Sequence, residues 1–164
     1  MRNRIWSSSL RKDVSKLFFT VICVCAGCTA QAQTVRVKAN NTDNLNLGSS
    51  WVGGSAPTSA QVARWNNTVT GANSVSLGAD LSYLWISIAD PGGTVTIGGG
   101  NALSMESLGI DMSSATADLV INNASLALKD YGCPFWNVAA GRTLTVNPAT
   151  FTRGDRATLG LPGA

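Results

Sequence analysis

The chain has 164 residues, of which 45% are apolar and only 13% charged, with no histidine, four cysteines and a formal net charge of +3. Without histidine, Ser-His-Asp and Cys-His nucleophiles, His-ligated metal centres and imidazole general bases are all excluded. Seventeen glycines beside a single glutamate leave too little Glu, Lys and Arg for the surface of a helical bundle, and the length suits one all-β domain.

Residues 1–32 differ in kind from the rest. Arg2, Arg4, Arg11, Lys12 and Lys16 precede an apolar run from Leu17 to Gly27, which ends in the small-residue stretch Ala30-Gln31-Ala32. That is the three-part layout of a secretory signal peptide, and its apolar run is too short to span a bilayer. Cleavage between Ala32 and Gln33 is expected. Cys25-Ala26-Gly27-Cys28 offers an alternative, a lipoprotein-type site with Cys28 lipidated, although Cys25 stands where such sites usually carry Leu. Losing the leader removes five basic groups and Asp13, leaving seven basic and eight acidic groups and a net charge near −1. The mature chain therefore offers no basic surface for nucleic acid, and it contains no transmembrane span. Cys133 is its only cysteine, so no internal disulfide is expected; it sits in the turn signal Tyr131-Gly132-Cys133-Pro134 and reads as a small hydrophobe or an incidental thiol.

From residue 70 the pattern is one of short two-residue-period segments separated by Gly, Asn, Asp and Pro, the mark of strands joined by turns. Segments are expected to begin at Val75, Leu84, Val95, Leu103, Ile110, Leu119, Leu126, Trp136 and Leu144. Leu84, Ile86 and Ile88 alternate on one face, as do Val95 with Ile97, Leu103 with Met105, Leu126 with Leu128 and Leu144 with Val146. This rhythm suits a β-sandwich or a solenoid equally. A recurring unit favours the solenoid: an apolar strand end, a Gly/Asn/Ala turn, then Leu with an alternate apolar partner. It occurs at Ile97–Met105, Ile121–Leu128 and Val138–Val146, which implies coils of about 20 residues, with the Leu103, Leu126 and Leu144 units stacked in parallel. Residues 33–70 lack the unit and carry Trp51, Pro57 and Trp65, so they are expected to cap the first coil. Residues 71–148 would form the coils, and 149–164 an irregular tail.

Ser50-Trp51-Val52-Gly53-Gly54-Ser55-Ala56-Pro57, then Val62-Ala63-Arg64-Trp65 and Val75–Leu81, followed by Pro91-Gly92-Gly93 with Val95-Thr96-Ile97, Gly109–Ser113 and Trp136–Val146, form an ordered series. In order and spacing it resembles bacterial proteins that carry autotransporter-associated β-strand repeats, over roughly residues 45–148. The resemblance implies a right-handed parallel β-helix or β-solenoid with an N-terminal cap, the N-terminal passenger portion of a large exported or cell-surface protein, with no catalytic motif that defines the group. The sequence does not show that family's long repeat array or its C-terminal translocator or anchor, so the chain is expected to be a short or truncated front end of a larger surface protein.

The acid/base resources are Asp43, Asp80, Asp90, Glu106, Asp111, Asp118, Asp130 and Asp155. No two occupy adjacent or alternate positions of one strand, and Asp80, Asp90 and Asp130 lie beside turn residues, where Asx side chains bond backbone. No catalytic, metal or cofactor site is expected. Arg153-Gly154-Asp155 matches an integrin-type tripeptide and reads as coincidence. Asn40, Asn66 and Asn123 fit glycosylation acceptor patterns that an Asn-rich β protein carries by composition. Gly98-Gly99-Gly100 lacks a following Lys and is a turn rather than a phosphate loop. Among the aromatics, Tyr83 and Trp85 alternate with Leu84, Ile86 and Ile88 and so would project outward, where they could stack on sugar rings. The expected function is an exported structural or adhesive module meeting surface glycans or other extracellular proteins; the alternative is a carbohydrate-binding or carbohydrate-cleaving β-helix fragment.

Overall fold

Strands written as alternating apolar residues bury one face only if successive strands align those residues in rows. The computed structural model, which describes residues 33–129 and 135–154, shows nine such strands: β1 (Val35–Val37), β2 (Val62–Trp65), β3 (Asn73–Ser76), β4 (Leu81–Ile88), β5 (Val95–Met112), β6 (Leu119–Leu128), β7 (Phe135–Val138), β8 (Leu144–Val146) and β9 (Thr150–Arg153). Every strand-to-strand pairing is parallel. The one antiparallel contact among the described residues is an isolated bridge, Lys38 with Trp51. The fold is a β-solenoid of about five turns, and the sandwich alternative, which needs antiparallel hairpins, does not hold.

The pairings resolve into three columns. The first stacks β1, β2, the end of β4, the end of β5 and β7, with Ala63, Ile86, Ile110 and Trp136 in one row and Trp65, Ile88, Met112 and Val138 in another. The second stacks β3, the start of β5, the start of β6 and β8, aligning Val75, Ile97, Ile121 and Val146. The third stacks the start of β4, the middle of β5, the end of β6 and β9, aligning Leu81, Leu103, Leu126 and Phe151. Ile86, Ile88, Ile97, Leu103, Ile110, Met112, Leu119, Ile121 and Leu126 are essentially solvent-free and form one core. Each such side chain contributes about 1.5–3 kcal/mol relative to exposure, and because each turn buries its face on the next, that stabilisation exists only in the stack.

All nine expected segment starts fall within strands, but three corrections follow from the register. One turn advances the chain by 22 to 27 residues rather than about 20. Leu103 does pair with Leu126, whereas Leu144 pairs with Leu119 in the second column and Phe151 takes the place above Leu126. Parallel pairing also begins at Val35 and extends to Arg153, so the presumed cap contributes the first two rungs of the first column and the presumed tail contributes β9.

The corners are held by specific residues. Gly78 turns the chain from the second column into the third at φ 77°, and a Cβ there would stand 2.7 Å from Asn44 Cβ, so glycine is required on both counts. Three aspartates tether adjacent turns through their Oδ1 atoms. Asp80 accepts from the Ala102 amide at 2.8 Å, Asp90 from Asn67 at 3.1 Å and Asp118 from Thr143 at 2.9 Å. Asp80 and Asp90 stand beside turns as expected, Asp118 was not among the expected turn residues, and all three bond the neighbouring coil rather than their own.

The two ends differ. At the N-terminal end Trp51 covers the first turn, edge-to-face with Trp65 (centroids 5.6 Å) and Tyr83 (6.1 Å), its Nε1–H donating to Leu45 O at 2.8 Å. Lys38 is buried beside it, and its ammonium donates to Ala39 O, Asn41 O and Asn41 Oδ1 at 2.7–3.0 Å. Burial pushes the Lys38 pKa below its ordinary value, and the Asp43 charge opposes that shift. At the other end Trp136, Val138, Leu144 and Val146 are only partly covered, and Phe151 is 46% exposed. Trp136, Val146, Pro148 and Phe151 line an open depression of about 400 Å³ there.

Candidate functional site

The outer face of the first column is the candidate site. Ile86 and Ile88, Ile110 and Met112, and Trp136 and Val138 point into the core on three successive rungs, so the residues between and before them face outward. Two outward rows result. Val62, Trp85, Gly109 and Phe135 share one; Arg64, Ser87, Asp111 and Asn137 share the next, two residues along each strand. Val62 is fully buried, and the row opens to solvent beyond it, with Trp85 half-buried and Phe135 38% exposed.

Gly109 separates the two aromatic residues. Its φ is 80°, and a Cβ would meet Phe135 O at 2.6 Å, so this rung cannot carry a side chain without displacing its neighbour. Gly109 is itself buried, and the missing side chain is what lets the Phe135–Trp136 backbone of the next turn approach so closely. In the polar row beside it, Arg64 Nε–H donates to Ser87 Oγ at 3.3 Å and Asp111 Oδ1 accepts from the Ser113 amide at 3.0 Å. Ser87 is buried and the Trp85 indole nitrogen is buried without a partner among the described residues, so the face is open chiefly at Phe135, with Arg64, Asp111 and Asn137 partly exposed beside it.

Tyr83 does not belong to this site. The register between β4 and β5 shifts between Tyr83 and Trp85, so Leu84 is passed over and the inward phase changes there. Tyr83 consequently shares a row with Met105 and Leu128 and is fully buried, which rules out sugar stacking by its ring. Its hydroxyl has no hydrogen-bond partner among the described residues, and burial raises its pKa. Tyr83→Phe should therefore stabilise the fold by about 1 kcal/mol, since an unpaired buried hydroxyl is removed while the ring is kept. The phenol's pKa is higher folded than unfolded, so its contribution to stability is full below pH 10 and declines as the pH rises past 10, where only the unfolded chain ionises. Chemical unfolding at pH 7 and pH 10.5 would show a larger advantage for Tyr83→Phe at the higher pH.

Phe135 was not legible as a site residue, because it follows Pro134 in a turn signal. The available signal was indirect: Trp136 and Val138 alternate inward, which places Phe135 outward one turn beyond Gly109.

The carboxylates do not gather. Among the described residues no three Cys, Asp or Glu side chains come together as a metal group would. Glu106 accepts a hydrogen bond from Ser82 Oγ one turn away, and Ser49 Oγ donates to Asp43 Oδ2 at 2.6 Å. Asn123 is buried with its amide donating to Ser125 O and to Asn101 O, so it serves a corner. Gly99, with φ 104°, is likewise part of a corner. Cys28, Ala32, Asp130, Cys133 and Asp155 lie outside the described residues, and Gln33 is the first described position. Among the described residues no helix is long and apolar enough to cross a membrane. Comparison with protein-family models, with curated proteins and with solved structures finds no match.

Proposed function

We propose that this chain is an exported structural or adhesive module, displayed at the cell surface or outside the cell, and that it is the N-terminal passenger portion of a bacterial autotransporter-associated β-strand repeat protein. Its role is display rather than catalysis. The observation that carries this reading is the five-turn parallel solenoid itself, a stack that presents long, regular outer rows on a rigid core. The tripartite leader in the sequence supports export, and the near-neutral mature chain suits an extracellular surface better than a nucleic-acid partner.

Mass spectrometry of the N-terminus after expression with the native leader in a bacterial host tests the export half. A product starting at Gln33 in the periplasm or medium is the expected result. A lipid-modified Cys28 would keep export and move the processing site, whereas an intact Met1 product confined to the cytoplasm would overturn the reading.

A further inference from the structure

We propose that Lys38 and Asn41 become joined through their side chains, Lys38 Nζ displacing ammonia from the Asn41 carboxamide to form an amide bond that locks the N-terminal end of the stack. The inference goes beyond the display reading above and does not depend on it. Lys38 is wholly buried, and its Nζ stands 2.7 Å from Asn41 Oδ1, with Asn41 O at 2.8 Å and Ala39 O at 3.0 Å. Two groups held in contact within one fold react as if at very high concentration, because the entropy of bringing them together is already lost on folding.

Three features of the surroundings favour reaction over a simple hydrogen bond. The first is desolvation, which disfavours the ammonium and pushes the Lys38 pKa down, raising the share of the neutral amine that acts as nucleophile. The second is polarisation of the carbonyl. Asn41 Oδ1 also accepts from the Asp43 amide at 3.3 Å, so a donor stays on that oxygen as negative charge develops there. The third is a carboxylate in place. The Asp43 charge acts on Lys38, and Asp43 Oδ2 accepts from Ser49 Oγ at 2.6 Å while Ser49 O accepts from Asn41 Nδ2 at 2.8 Å, so Ser49 links the carboxylate to the leaving nitrogen. Asp43 takes one proton from the ammonium, and the freed amine attacks Asn41 Cγ. The Nζ–Cγ bond forms and the Cγ–Nδ2 bond breaks as a second Nζ proton passes to Nδ2. Ammonia leaves and carries off the proton held by Asp43, so the sum is one amide and one ammonium ion with no change of oxidation state. The product replaces a buried charge by a neutral amide, which removes the cost of keeping that charge out of water.

Tryptic mapping of the purified full chain by mass spectrometry tests this. Trypsin cuts after a free lysine but not after an acylated one, and no other Lys or Arg lies between Lys38 and Arg64. The expected product is one uncut peptide, Val37–Arg64, about 17 Da lighter than its sequence, the mass of one ammonia. Its position separates the link from cyclisation of an N-terminal Gln33, which loses the same mass in a peptide ending at Arg36. Asp43→Asn, at an exposed position, should slow linking by about a hundredfold, so that the freshly purified variant is cut after Lys38. Cleavage of the unaltered chain after Lys38, with Ala39–Arg64 at full mass, would overturn the proposal, as would an ammonia loss from this region that survives Lys38→Arg. Linking at an undiminished rate in Asp43→Asn would overturn the role given to that carboxylate. The readout is the same whether the chain begins at Met1 or at Gln33, so its failure is distinct from a failure of export.

Discussion

Trp65→Ala is expected to destabilise the protein by about 4 kcal/mol, within the range for truncating a large buried aromatic. Trp65 is fully buried in the first column, in a row with Ile88, Met112 and Val138. Three losses coincide when its ring is removed. The cavity lies beneath Trp51, whose edge-to-face contact with Trp65 is also deleted. Trp65 Nε1–H no longer donates to Asn73 Oδ1, a 3.1 Å bond within the buried set, and Asn73 is itself only 3% exposed. The same Asn73 donates through Nδ2 to Asn41 O, which also accepts from Lys38 Nζ, so an unsatisfied Asn73 disturbs the group that holds the buried ammonium. Urea unfolding followed by tryptophan fluorescence and circular dichroism would report the loss. A change below about 1 kcal/mol would mean that Trp65 is not in the core.

A still larger effect is expected at Ile97, and its neighbour provides the control. Ile97 is fully buried between Val75 and Ile121, so Ile97→Asp places a carboxylate in an apolar row with no described cation beside it. The carboxylate must either ionise in the core or be held protonated, and either course costs several kcal/mol. With total stability of order 5–15 kcal/mol for a domain, and with each turn supported only by its neighbours, the variant should lose cooperative unfolding at neutral pH. Thr96 faces outward one residue earlier, in a row with Ser74 and Val120. Thr96→Asp should cost less than about 1 kcal/mol. Similar behaviour of the two variants in thermal unfolding would contradict the assignment of inward and outward rows.

What could be read from the sequence was the alternation. Ile97, Ile121, Leu103 and Leu126 stand out because a two-residue period survives wherever a strand is straight. Column membership was not legible, because three columns share one apolar alternation and nothing local distinguishes them. Leu144 follows Leu126 by 18 residues and imitates a repeat, yet its partner is Leu119, 25 residues back. The bulges hid the rest. The shift between Tyr83 and Trp85 exchanges the inward and outward phases within one continuous strand, so Leu84, Ile86 and Ile88 read as one face while the third dimension places Tyr83 inside. β1 is not legible in the sequence because Val35-Arg36-Val37 is too short to establish a two-residue period. Of the candidate site, Trp85 was visible as an aromatic out of phase with Ile86 and Ile88. Phe135 and the close approach at Gly109 emerge only when the turns are stacked.

The account depends on which rows stack. Nuclear Overhauser contacts in a protein with labelled Ile, Leu and Val methyl groups test that most directly, since side chains in register on adjacent rungs lie within about 5 Å. Contacts from Ile86 to Ile110, Ile97 to Ile121, Leu103 to Leu126 and Leu119 to Leu144 are expected, with none between Leu126 and Leu144. A direct Leu126–Leu144 contact, or a set of contacts that fits antiparallel hairpins, would contradict the three-column solenoid and with it the outer row that joins Trp85 to Phe135.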